Sequence, residues 1–153
     1  RLQYNMDYVS LMPTNLYGPN DNYDLKNSHV LPALIRKFHE GKINNFNSVD
    51  TWGTGKPLRE FLYVDDLAKS ILYALENKLP NSTYNIGSGE EISIQNLANL
   101  IKKIVGFKGQ IVWDNSKPDG TPRKFLNKNI FTDLAKTKLE EGIKKTYEDF
   151  IKK

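Results

Sequence analysis

Cysteine is absent from the 153 residues, which excludes a disulfide framework and any metal site built on thiolates. No apolar stretch approaches the roughly 20 residues that a membrane-spanning helix needs, and no signal-peptide pattern opens the chain. Lys and Arg outnumber Asp and Glu by only 22 to 18. They are scattered among the acids, so the continuous basic run of a nucleic-acid-binding arm is missing. Internal repeats, low-complexity tracts and linkers are lacking too. These absences point to one soluble cytoplasmic α/β unit with neither a nucleic-acid nor a membrane partner and no metal. Local cationic pockets for a phosphorylated small molecule suit the charge pattern better. Methionine is missing from the first position, which is Arg1. Since a natural start ordinarily carries Met and a frayed lead-in, the chain reads as a piece of a longer protein.

What is present alternates between strand and helix patterns. Residues 8–12 form a short apolar run of the kind a buried parallel strand shows, stopping at Pro13, which has no N–H to donate. The stretch that follows is broken by Gly18 and Pro19 and reads as a loop at a strand end, where ligands sit in open α/β sheets. Thr14 and Asn15 would offer donors and acceptors at its rim. Residues 29–41 place Val30, Leu31, Leu34, Ile35 and Phe38 at helical spacing, with Ser28 as N-cap and Gly41 as stop. Residues 44–50 read as a loop and 51–57 as a tight turn around Trp52. Residues 60–64 alternate as a strand, and Asp65 or Asp66 would cap a helix with Leu67, Ile71, Leu72 and Leu75 on one stripe. A strand over 82–86 follows, then a helix capped by Ser93 and running to Val105. A strand over 110–114 leads into a Pro/Gly-broken loop over 115–123, and helix resumes from about Ile130.

Three segments could carry chemistry. The loop over 13–29 is a ligand site or an ordinary turn, since Asn, Gly and Pro punctuate most turns. In the second, Trp52 could stack on a base or pack on a sugar, and the Arg59 guanidinium could fork onto a diphosphate. Their alternatives are a core aromatic and a surface charge, but Gly53 and Gly55 permit the close backbone approach that a ligand cradle needs. In the third, Asp119 could accept hydrogen bonds from a nucleotide or sugar and Lys124 could neutralise a phosphate; otherwise it is a surface turn. His29 is the one candidate acid/base group within these segments, though a histidine at a helix start is commonly structural. Lys37 is a phosphate contact or an exposed helix lysine. His39 reads as solvated surface.

The order Pro-Thr-Asn-Leu-Tyr-Gly-Pro at 13–19, Asn-Ser-His at 27–29, Trp-Gly-Thr-Gly-Lys-Pro-Leu-Arg-Glu-Phe-Leu-Tyr-Val-Asp-Asp at 52–66 and Ser-Lys-Pro-Asp-Gly-Thr-Pro-Arg-Lys at 116–124 resembles the GDP-L-fucose synthases. These are extended short-chain dehydrogenases/reductases. The 59–66 part is widespread among nucleotide-sugar epimerases and dehydratases. Many of those carry Arg near the start of the first loop, where this chain has Met12, Pro13 and Thr14, which favours the fucose synthase branch. The resemblance implies the C-terminal part of a Rossmann-like enzyme. Residues 1–153 would be mainly the smaller substrate-binding domain, with 1–20 supplying a late strand and loop of the NADP-binding domain.

The resemblance also implies roles. Pro13, Thr14, Asn15, Leu16 and His29 would face the nicotinamide of NADPH, with His29 also the acid in epimerisation. Lys37, Trp52, Arg59, Asp119 and Lys124 would hold a GDP-sugar. The family's G-x-x-G-x-x-G fingerprint and Tyr-x-x-x-Lys pair are absent and would lie upstream of Arg1, in an N-terminal half that this part would need as partner. This chain alone is therefore expected not to turn over, and apolar surface is expected where that half packs. A homodimer in the full-length parent would rest on upstream helices. The alternatives are a sibling enzyme for another GDP-keto-sugar, such as a 6-deoxy-heptose, and a non-catalytic nucleotide-sugar binding module. The family's Leu-Gly-Trp stretch is not visible between Leu126 and Gly142.

Overall fold

The structure, a computed structural model, describes residues 1–152. Among them the chain runs β1 (Ser10–Pro13), β2 (Asn15–Tyr17), α1 (Val30–Ile43), β3 (Ser48–Trp52), β4 (Leu58–Tyr63), α2 (Val64–Glu76) and β5 (Thr83–Ile86). It continues with β6 (Glu91–Ser93), α3 (Ile94–Val105), β7 (Gln110–Asp114), β8 (Arg123–Lys124), a 3-10 turn (Thr132–Leu134) and α4 (Leu139–Phe150). No helix among the described residues is long and apolar enough to cross a membrane.

The strands form three small groups. β1 runs parallel to β5, β3 parallel to β7, and β4 lies between β2 and β6 with β8 also on it. The chain changes partner at Thr14: Pro13 lies opposite Ile86 of β5, whereas Asn15 lies opposite Phe61 of β4. Pro13 therefore does not end the strand region, and the stretch read as loop continues as β2. The amides of Ser10 and Thr14 donate to the carbonyls of Ser82 and Ile86. Alternate residues face the same neighbour, so the nitrogen of Pro13 points to the opposite, open edge, where a missing donor breaks nothing. β1 is not buried as expected, and Met12 is 54 % exposed. Only one edge of β1 has a partner among the described residues.

Four other expectations for loops, caps and stops give way to packing. Residues 48–52 form β3, with Val49 and Thr51 turned inward and Ser48, Asp50 and Trp52 outward. The N-cap of α1 is His29, with no side-chain cap bond, and the Ser28 hydroxyl caps nothing. Gly41 lies inside α1 rather than ending it, and its glycine answers to packing: a Cβ there would come within 2.8 Å of Val49 and 3.0 Å of the Phe107 ring. The α2 cap is Tyr63; Asp66 instead accepts from Lys69 and from the Thr137 amide, at 2.8 Å each. Ser93 does cap α3, accepting from the Asn96 amide at 3.1 Å. Beyond Ile130, helix is confined to the short 3-10 turn and α4.

One core joins Leu31, Leu34, Ile35 and Phe38 of α1 to Leu97 and Ile101 of α3 and Ile143 of α4. A second, smaller core holds Leu62, Leu79, Tyr84, Ile86 and Phe131. Each fully buried side chain of this size stabilises the fold by ~1.5–3 kcal/mol. Between the cores lies Glu60, fully buried. Its Oε1 accepts from the Gly89 amide at 2.7 Å and its Oε2 from the Leu126 amide at 3.0 Å. Its backbone carbonyl accepts from Thr14 Oγ1 and Asn15 Nδ2. A Cβ at Gly87 would come within 2.8 Å of the Glu60 Cδ.

The apolar stripe of α2 forms as predicted, but much of it faces outward: Ile71, Leu72 and Leu75 are 42 %, 57 % and 78 % exposed. With Tyr8, Leu11 and Leu79, residues of this helix line a groove of about 390 Å³. Glu60→Gln should destabilise the chain by about 2–3 kcal/mol in chemical denaturation, because an amide can accept only one of the two buried N–H groups and opposes the other. A hydrophobic dye should bind the native chain, and Leu75→Lys should reduce its signal while leaving stability nearly unchanged.

Candidate nucleotide-binding cleft

Trp52 ends β3 and is 65 % exposed. Immediately after it, Gly53 adopts φ +79° and its amide donates to the Asp114 carbonyl at 3.0 Å. This sharp turn brings Thr54 against the loop that follows β7. Asp119 Oδ1 accepts from the Thr54 amide at 2.6 Å, and Oδ2 from the Thr54 hydroxyl at 2.7 Å. The Thr54 hydroxyl and then its amide hold the Asp119 carboxyl below the usual carboxylate range. Residue 53 must be glycine for close approach as well as for backbone shape, since a Cβ there would collide with Asp119 Oδ1.

These contacts close one end of a cleft of about 150 Å³, where Trp52, Arg59, Pro118 and Asp119 meet over Val30 and Ile94. Arg59 comes from β4, with Nη1 donating to the Leu58 carbonyl at 2.8 Å. Its neighbour across the parallel ladder is Lys124 of β8. Neither cation has a carboxylate partner among the described residues, whereas adjacent Arg123 is held by Glu91 at 2.7 and 3.0 Å. Like charges placed side by side on neighbouring strands repel, and a bound anion would relieve that repulsion. Lys117 Nζ lies 5.8 Å from the Trp52 ring centroid, so the loop also borders the aromatic platform. A flat ring beside Arg59, with Lys124 on the neighbouring strand and neither cation paired to a carboxylate among the described residues, can seat a base or sugar and a diphosphate.

The second predicted group lies at the change of strand partner. Thr14 is buried, and both its hydroxyl and the Asn15 amide donate to the Glu60 carbonyl, at 3.2 and 2.8 Å. Contrary to expectation, those side-chain donors are not offered at a rim; they fasten β1 and β2 to β4. Leu16 packs on the smaller core. What Pro13, Thr14, Asn15 and Leu16 present at the parting of β5 and β4 is mainly main chain. His29 is exposed at the start of α1, where its carbonyl accepts from the Ala33 amide at 3.1 Å and its imidazole makes no hydrogen bond to another described residue.

Lys37 does not line the cleft. Its Nζ donates to the Asp50 carbonyl at 2.8 Å, tying α1 to β3. Burial lowers its pKa and the Asp50 charge opposes that shift. His39 is not solvated: Nδ1 lies 3.0 Å from Tyr147 Oη, and the ring packs edge-on against Phe150. Sequence reasoning passed over Glu60, Thr54 and Lys117. Glu60 was visible as a lone acid in an apolar strand, and Thr54 as a hydroxyl between two glycines, but the partners of both are far away in sequence.

The profile of the NAD dependent epimerase/dehydratase family matches residues 1–87. The chain is 50 % identical over 154 residues to a protein of Oryza sativa subsp. japonica described as a probable GDP-L-fucose synthase 1, covering 99 % of this chain and 47 % of that protein. A GDP-6-OMe-4-keto-L-xylo-heptose reductase from C. jejuni superposes with TM-score 0.87 and 34 % identity, over 99 % of this chain and 56 % of that one. A GDP-L-fucose synthetase from Naegleria fowleri bound to NADP superposes with TM-score 0.83 and 34 % identity, over 94 % and 46 %. The chain thus spans about half the length of the curated relatives it matches. The matches cover nearly all of it, including the tail that lacks Leu-Gly-Trp.

Because the folded pKa of Asp119 is depressed, its bond to Thr54 contributes stability above the ordinary aspartate value of about 4. That contribution is lost as pH falls through the depressed value. Amide exchange at Thr54 should therefore lose protection in acid below about pH 4, and Asp119→Asn should flatten that pH dependence.

Proposed function

Because this chain belongs to the NAD dependent epimerase/dehydratase family, we propose that it is the substrate-binding portion of an NADPH-dependent epimerase-reductase that makes GDP-L-fucose from GDP-4-keto-6-deoxy-mannose. The observation that carries this reading is the meeting of exposed Trp52 with Arg59 in one cleft, with Lys124 beside Arg59 on the neighbouring strand and neither cation paired to a carboxylate among the described residues. Trp52 offers a stacking face, Arg59 a fork for one phosphate and Lys124 a point charge for the other. Asp119 accepts from donors of the nucleotide or sugar, and Lys37 adds positive potential from α1.

The nicotinamide side lies at the parting of β5 and β4, where residues 1–20 belong with a dinucleotide-binding domain. Open α/β sheets bind ligands where neighbouring strands diverge beyond their carboxyl ends. The committed side chains of Thr14 and Asn15 fit this role, since they leave a rigid main-chain wall from Pro13 to Leu16 for a flat ring. The cofactor, when bound, supplies the hydride that reduces C4. His29 stands at the mouth of α1 with an imidazole free to give a proton to the substrate during epimerisation at C3 and C5. The Tyr-x-x-x-Lys pair is not in these 153 residues, so the chain binds GDP without turning a substrate over.

Calorimetry with GDP should show binding to the 153-residue chain. Arg59→Ala should weaken it about 10- to 100-fold, the range of a lost charge-assisted contact, and Lys124→Ala less. Absence of GDP binding, with wild type and variant alike, would remove the nucleotide reading. The full-length protein containing this chain should convert the keto-sugar with NADPH to a product inverted at C3 and C5. A product unchanged at both would leave a reductase of a sibling GDP-keto-sugar.

A further inference from the structure

We propose that Thr54 is a positioning residue that sets how tightly the cleft holds its nucleotide, by fixing Asp119 and with it the loop over residues 115–122. The inference rests on the nucleotide reading above and deepens it.

The geometry is a two-point clasp. The Thr54 amide and hydroxyl each donate to a different oxygen of the same carboxylate, at 2.6 and 2.7 Å. No other described residue is hydrogen-bonded to Asp119, so its side-chain orientation follows from Thr54 alone. The rest of the loop is held at its ends only. Ser116 donates through N and Oγ to Asp114 Oδ1, the Lys117 amide donates to the Asp114 carbonyl, and the Leu58 amide donates to the Pro122 carbonyl. Among the described residues, Asp119 is the one side chain of the loop tip hydrogen-bonded to the Trp52 turn.

Three consequences follow. The clasp holds the Asp119 carboxylate in the wall of the cleft that Trp52 and Arg59 share with it. It keeps Pro118 in the cleft wall and Lys117 near the Trp52 ring. It also places Gly120 (φ +71°) beside Arg59, where a Cβ would be 3.7 Å from Nη2, leaving the guanidinium room to reach a phosphate. A loop ordered before the ligand arrives does not have to be ordered by it, and that difference appears as affinity. The residue that touches the ligand is Asp119; Thr54 acts through it.

Two measurements test this on the 153-residue chain, with Thr54→Val removing the hydroxyl at nearly constant volume and Thr54→Ser restoring it. Amide exchange read by NMR should rise about fivefold or more at residue 54 and at Leu58 in the valine variant. The serine variant should match wild type, and core amides of α1 and α3 should be unchanged. GDP affinity by calorimetry should fall about three- to tenfold in the valine variant and recover in the serine variant. In an Asp119→Ala background the same Thr54 change should have no effect on GDP affinity. Unchanged exchange in the valine variant overturns the clasp whatever GDP does. A loosened loop with unaltered GDP affinity overturns the positioning role. If wild type fails to bind GDP while exchange responds as described, the nucleotide reading fails and the clasp stands as a structural tie.

Discussion

The carboxylate of Glu60 sits where four stretches of chain converge, and the arrangement of the others depends on it. A polar group in a fully buried position is tolerable only if its lone pairs are used. Glu60 meets that demand with the backbone amides of Gly89 and Leu126, while its carbonyl collects the side chains of Thr14 and Asn15. One residue of β4 thus fastens the change of partner between β1 and β2, the turn between β5 and β6, and the approach to the C-terminal helix. Gly87 follows from the same constraint, because any side chain there would occupy the carboxylate's space.

β4 carries the site as well as the junction. Arg59 precedes Glu60, and successive residues of a strand point to opposite faces. The carboxylate therefore goes into the protein and the guanidinium comes out beside Trp52. Burial of Glu60 is what presents Arg59 to the cleft. The pairing of β8 on β4 then sets Lys124 next to Arg59, concentrating positive charge at one place in a chain whose overall charge is only mildly basic.

The exposed stripe of α2 and the open edge of β1 lie together around one apolar groove, on a chain that spans about half of its curated relatives. The helices differ in this respect. α1, α3 and α4 bury their apolar faces against one another and against β3 and β4, whereas α2 has the right periodicity and an outer face that nothing among the described residues covers. Periodicity reports which face of a helix is apolar. It does not report whether a partner is present.

Much of the architecture was legible in the residues themselves. The 3.6-residue spacing of Leu31, Leu34, Ile35 and Phe38, the Ser93 cap and the apolar run at 110–114 each specify an element through local physics. So does the motif order that marks the family, and with it Trp52, Arg59 and Asp119, which the fold brings into one cleft. What only the tertiary structure decided are matters of long-range pairing. β2 and β3 exist because neighbouring strands accept their hydrogen bonds, although Gly, Pro and Asn in their surroundings suggest loop. Gly41 is a packing site because Phe107 presses on it, 66 residues away in sequence, and His39 is half-buried because α4 returns to cover it. Thr54 is the clearest case: its place between two glycines marks a turn but not a role, and its importance comes from Asp119, 65 residues away, which only the folding of β7 and its loop brings within hydrogen-bond reach.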